Sequence, residues 1–190
     1  MIATGPVGSQ FCLTAQEIDM RTFLALMLLS CVVFAQDEAA IAKAKAACGP
    51  DDVSFSVKTS EGSHPTATVE PGKALVYVVG QDPACSNCGK VARIGLDGTW
   101  AGAIDFGSYT SFTVEPGEHH LCTNWQSFFA GPKKPVGLTN LTAEAGKIYY
   151  LRIRVLVLNQ IAIDLDPVNA DQGQYLVATS KMSESHPKKP

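Results

Sequence analysis

The sequence predicts an all-β fold, an antiparallel β-sandwich flanked by a helix at each end of the mature chain. Three observations predict it. Runs that alternate apolar and polar residues, such as VSFSVK from Val53 and YTSFTV from Tyr109, recur at the strand-and-turn spacing of about 8–12 residues that sandwiches show. Asp97-Gly98 stands between two such runs, Val91 to Leu96 and Thr99 to Ile104, as a two-residue hairpin turn. A third signal is a repeated punctuation just before strands: Val69-Glu70-Pro71-Gly72, Val114-Glu115-Pro116-Gly117 and Ala143-Glu144-Ala145-Gly146. Pro fixes φ at the first corner and Gly supplies positive φ at the second, which predicts type II turns.

Ahead of the fold lies Met20 to Ala35, MRTFLALMLLSCVVFA. One positive charge at Arg21, an apolar stretch from Phe23 and a Val-Phe-Ala end give the layout of a secretory signal peptide cleaved before Gln36. The apolar part is shorter than the roughly 20 residues of a membrane span. Residues 1–19 are polar, with Glu17 and Asp19 where a basic start belongs, so translation is expected to begin at Met20. Leu28-Leu29-Ser30-Cys31 also reads as a lipobox, which would anchor the chain to a membrane through a lipidated Cys31. The apolar run through Val32 to Ala35 weighs against that reading. Either way the expectation is export, to the periplasm or outside the cell.

The 155 residues from Gln36 onward suffice for one domain with a real core. The first 15, residues 36–50, hold DEAAIAKAKAAC, alanine-rich with acids before lysines, which suits a helix and its dipole. Gly49-Pro50 ends it. The sandwich follows over residues 51–168. KALVYVV from Lys73 predicts a more fully buried strand, and KIYYLRIRVLVL from Lys147 sets Leu151, Ile153, Val155 and Val157 on a core face against Tyr150, Arg152 and Arg154 on a wet one. Residues 169–190 are expected to form a short helix capped at Asn169 and then a disordered tail.

Composition narrows the function classes. With one basic and two acidic residues lost before Gln36, the mature chain carries a formal charge of −2, against the concentrated basic face that nucleic acid requires. Four cysteines remain after the leader, Cys48, Cys85, Cys88 and Cys122, and an even number in an exported chain favours disulfides. With Leu121 and Trp125 on the core face of their strand, Cys122 points outward, where the N-terminal helix ending at Cys48 can lie over it. The expected pairing is therefore Cys48–Cys122 and Cys85–Cys88.

The same residues allow a sharper reading. Cys85-x-x-Cys88 has zinc-ligand spacing, and His120 and Cys122 share one strand face, so Cys85, Cys88, His120 and Cys122 compose a tetrahedral metal set. A thiol-redox centre needs its cysteines at a helix N-terminus, whereas Gly89-Lys90 leads into a strand. Trp100, Trp125, Phe128 and Phe129 could form a carbohydrate- or peptide-binding patch, or simply fill the core. Asp164 and Asp166 alternate with Ile163 and Leu165 as the wet face of a strand. No arrangement with nucleophile-elbow spacing appears, so no enzyme and no cofactor are expected.

EPGKALVYVV, RIGLDGTWAG, SYTSFTVEPGEHHL and LTAEAGKIYYLRIRV together resemble a bacterial family of exported proteins, often lipoproteins, catalogued as domain of unknown function 2846. The similarity runs from about Pro71 to Asp166. The succession also looks like the small immunoglobulin- or prealbumin-like sandwiches of the PEGA and carboxypeptidase-regulatory kind. The resemblance speaks to fold and implies no catalytic residue; the expected function is an exported cell-envelope structural or binding module that acts on an unidentified protein or glycan.

Overall fold

The computed structural model describes residues 42, 46–61, 68–81, 91–126, 135–157 and 161–188. The leader, the loop with Cys85 and Cys88, and the segment with Phe128 and Phe129 lie outside them. Of the helix expected over 36–50 the description includes Ala42, which is helical, and the bond from the Ala46 N–H to its carbonyl (2.9 Å).

Among the described residues from Ala46 onward, ten strands and one helix follow in chain order. They are β1 (Phe55–Ser60), β2 (Ala74–Gln81), β3 (Val91–Leu96), β4 (Thr99–Asp105), β5 (Ser108–Val114), β6 (Gly117–Trp125), β7 (Val136–Ala143), β8 (Ile148–Val157), β9 (Ile161–Val168), α1 (Ala170–Ala178) and β10 (Lys181–Pro187). The all-β expectation holds. A six-stranded sheet has the order β1-β10-β5-β2-β8-β9, and a four-stranded sheet the order β4-β3-β6-β7.

The pairing corrects one expectation. The larger sheet is mixed, because β2 runs parallel to β8 and β10 runs parallel to β5. A parallel neighbour needs a long crossover. Between β2 and β8 that crossover is the whole smaller sheet, with β5 returning to the larger one on the way.

The core follows from strand alternation. Ala74, Val76 and Val78 of β2 meet Ala92 and Ile94 of β3, Ile104 of β4, Leu121 and Trp125 of β6, and Leu151 and Ile153 of β8 between the two sheets. The odd residues of β2, Leu75, Tyr77 and Val79, face the other way and pack with Tyr109, Tyr150 and Leu176 under α1. Tyr150 therefore lies on a covered face, not a wet one. Its ring stacks on Tyr77 with centroids 5.3 Å apart, and Gly173 of α1 sits so close that a Cβ there would fall 2.1 Å from Tyr150 Cγ. Asn169 caps α1 as expected, its side chain accepting from the Gln172 N–H.

The segment expected to be a tail, Lys181–Pro187, is instead β10, paired along its length with β1. Its alternation went unread because the inward positions are serines rather than apolar residues. Ser185 Oγ accepts from the Ala103 N–H (3.0 Å) and Ser183 Oγ from the Asp105 N–H (3.5 Å), so β10 caps the free edge of β4. On the opposite side β7 abuts β9 so closely that a Cβ on Gly137 would lie 2.8 Å from the Ile163 carbonyl oxygen.

Candidate functional site

Two regions carry the polar side chains that packing alone does not require. The first is the outer face of the four-stranded sheet. Cys48 is disulfide-bonded to Cys122, joining residues 74 apart, with Cα atoms separated by 5.4 Å. Gly95 of β3 makes room for the crossing, since a Cβ there would meet the Ala47 carbonyl at 2.7 Å and Cys122 Sγ at 2.9 Å. Below the bridge, Arg93 is 1% exposed and works as a peg for the next residues. Its Nε donates to Asn124 Oδ1 (2.8 Å) and its Nη1 to the carbonyls of Val53 (2.7 Å) and Asp51 (3.2 Å). The guanidinium lies 4.2 Å over the Trp100 ring, whose Nε1 donates to the Pro50 carbonyl (2.7 Å).

This arrangement places the residues singled out in the sequence. Cys122 has its sulfur in the bridge and offers no thiolate beside His120. Trp125 is buried between the sheets and Trp100 lies on the opposite face of the same sheet, so the two do not share a surface. Cys85, Cys88, Phe128 and Phe129 lie outside the described residues. His120 sits on the outer face beside Leu138 and Asn140, between two shallow depressions of about 220 and 260 Å³. Among the described residues, no group of His, Cys, Asp and Glu is spaced to hold a metal ion.

His119, the neighbour of His120, has a structural role at this end of the sheet. Asp97 and Gly98 both take positive φ (49° and 86°), as a hairpin turn of the I′ kind demands. Asp97 then reaches across to β6: Oδ1 accepts the His120 N–H (2.8 Å) and Oδ2 faces His119 Nδ1 (2.6 Å). His119 Nε2 faces the Glu115 carbonyl (2.7 Å). Both ring nitrogens thus meet oxygen acceptors, and both are satisfied only by the imidazolium. Burial opposes that charge, but the Asp97 carboxylate and then the Glu115 carbonyl outweigh it and raise the His119 pKa. Burial likewise works against the Asp97 carboxylate, and its bonds to His119 and the His120 N–H lower its pKa overall.

The carbonyl that His119 takes belongs to one of the three repeated turns. At the other two, the Lys73 N–H closes on the Glu70 carbonyl (3.1 Å) and the Lys147 N–H on that of Glu144 (3.2 Å), with Gly72 and Gly146 at φ of 82° and 78°. Those match the type II expectation. The third does not, because Gly117 already belongs to β6 with a φ of 138°, far from a type II corner, and a side chain replaces the closing N–H.

The second region is a cleft of about 360 Å³ between β5 and β10, lined by Thr110, Ser111, Glu184, Ser185 and His186 with Ala101 of β4 at its side. The two strands run parallel and pair only at Lys181–Ser108 and Met182–Tyr109. They then part, β5 staying with β2 and β10 with β1. Where they fork, the buried hydroxyls of Ser108 and Ser183 share a hydrogen bond (2.5 Å), and Ser108 Oγ donates to the Asp105 carbonyl (2.5 Å). The cleft walls are hydroxyl, carboxylate and imidazole groups on rigid strands. These residues belong to no sequence motif, and the Ser183-x-Ser185 alternation is the one local signal of them.

Comparisons with family models, with curated proteins and with solved structures find no match to this chain.

Proposed function

We propose that the chain is an exported, non-catalytic binding module of the cell envelope, built as an immunoglobulin- or prealbumin-like sandwich and related to the exported family that its strand-and-turn motifs resemble. The observation that carries the binding reading is the preformed polar cleft between β5 and β10. Its walls belong to two strands that are each fully paired on their outer sides, so the site is rigid before any partner arrives. Export is supported by the leader Met20 to Ala35 and by the Cys48–Cys122 bridge, since such bridges persist in oxidising compartments.

Expressing the full chain with its own leader in a bacterium, and fractionating the cells, tests this reading. The expected product begins at Gln36 or at a lipidated Cys31, lies in the periplasmic or membrane fraction, and has Cys48 and Cys122 blocked to maleimide until reduced. Cytoplasmic protein with both thiols free refutes it. One zinc per purified chain refutes it in favour of metal binding.

A further inference from the structure

We propose that the fork between β5 and β10 receives an extended polypeptide from another protein as an inserted strand. The inference rests on the binding-module reading and adds the class of partner. Along Tyr109–Val114 one edge of β5 is occupied by β2, and along Met182–Pro187 one edge of β10 is occupied by β1. Beyond the two residue pairs at the fork, no described strand pairs with the facing edge of either. Two strand edges therefore look at each other across a cavity.

The fork does not close by itself, and the reason is on β10. Its Ser183 and Ser185 hydroxyls hold the Asp105 and Ala103 N–H groups at the edge of β4. Swinging β10 back onto β5 would strip those donors of their acceptors, and an N–H left without a partner is expensive when shielded from water. The opening is thus fixed by the bonds that cap the other sheet, and the strand edges stay available at no reorganisation cost.

Backbone edges select backbone. Their donors and acceptors repeat at the spacing of an extended chain, which is how strand addition obtains affinity. A sugar ring would want an exposed Trp, Tyr or Phe as a platform, and among the described residues that line this cleft the one such ring, Tyr109, is 2% exposed. Because β5 and β10 run in the same direction, a single inserted strand has the same orientation to both walls. The antiparallel orientation is favoured, its ladder being slightly the stronger. The polar walls, with the Glu184 carboxylate and the His186 imidazole at the mouth, suit small and polar side chains on the incoming segment.

The test uses the disulfide-bonded full chain and a phage-displayed library of random decapeptides, with enriched sequences resynthesised for titration. The expected result is saturable binding that N-methylation of alternate peptide backbone nitrogens weakens at least tenfold. Ala101→Trp, at an exposed position beside the cleft, should weaken it as much while leaving thermal unfolding unchanged. Amide exchange within Thr110–Val114 and Ser183–His186 should slow on binding. Failure to enrich any peptide overturns the proposal, as does binding indifferent to N-methylation or to Ala101→Trp. Cell-wall oligosaccharide fragments that perturb Thr110 and Glu184 while peptides do not would also overturn it and leave the envelope-module reading standing. Concentration-dependent dimers abolished by Ala101→Trp would replace the foreign peptide by a second copy. Cytoplasmic, fully reduced protein would sink the underlying reading instead, whatever the peptides do.

Discussion

Replacing Asp97 by Asn removes one charge and little else, which makes it the sharpest probe of the His119 clamp. Asn tolerates the positive φ that position 97 adopts (49°), and its carbonyl oxygen can still accept the His120 N–H. What disappears is the ionised partner of His119 Nδ1, 2.6 Å away. A hydrogen bond to a charged group contributes about 1.5–3 kcal/mol. The Asp97 side chain is 43% exposed against 13% for His119, so water screens the pair and about 1 kcal/mol is the reasonable figure. For a domain of this size that is about 2–4 °C in Tm. The sign follows from the two shifts. The folded pKa of His119 is raised, so its contribution is complete below its ordinary value of 6.5 and fades as pH climbs through the higher folded value. Asp97 is shifted down, so its contribution is complete above 3.8 and is lost as pH falls through the lower folded value. The clamp is therefore fully engaged between those two ordinary values and released on the alkaline side. Thermal unfolding of wild type and Asp97→Asn at pH 6 and pH 9 should show a gap of about 1 kcal/mol that closes at pH 9. A gap that is the same at both pH values refutes the imidazolium assignment.

Three further outcomes follow from the packing. Reducing the Cys48–Cys122 bridge, which closes a loop of 74 residues in separation, should lower stability by about 4 kcal/mol in the chain-entropy model, read as the shift in urea midpoint with and without reductant. Gly173→Ala, which raises stability in an ordinary helix, should instead lower it by about 2 kcal/mol, because the new methyl would sit 2.1 Å from Tyr150 Cγ; a rise in Tm would mean α1 does not rest on that ring. Arg93→Met should lose about 3 kcal/mol by stranding the Val53 and Asp51 carbonyls and Asn124, read as the shift in urea midpoint, and should raise the quenching of the half-buried Trp100 above its wild-type level.

Much of the smaller sheet was legible because its signals are local. Asp97-Gly98 specifies its own turn, and Leu121 and Trp125 announce the core face of β6, which turns Cys122 outward toward Cys48. The larger sheet was less legible. That β2 lies beside β8 is a pairing across the whole smaller sheet, and no run of residues encodes a parallel neighbour at that distance. Tyr150 reads as a wet-face residue in its strand because nothing local says that Gly173 will bring a helix down on it.

The misreadings at β10 and at the Glu115 turn share one physical cause. Pattern reading assumes that a buried face is apolar and that a backbone group is satisfied by another backbone group. In β10 the inward face is made of serines that accept from the N–H groups of β4, so the strand is polar on both sides. At Glu115 the turn is closed by an imidazole rather than by the N–H two residues after the proline, so a Pro-Gly signal that works twice does not work the third time. In both places a side chain has taken over a backbone role, and a backbone edge or a titrating group is left where a regular strand or turn would have buried it. The fork and the clamp are those two places. Local sequence rules fail there for the same reason that something other than folding can happen there.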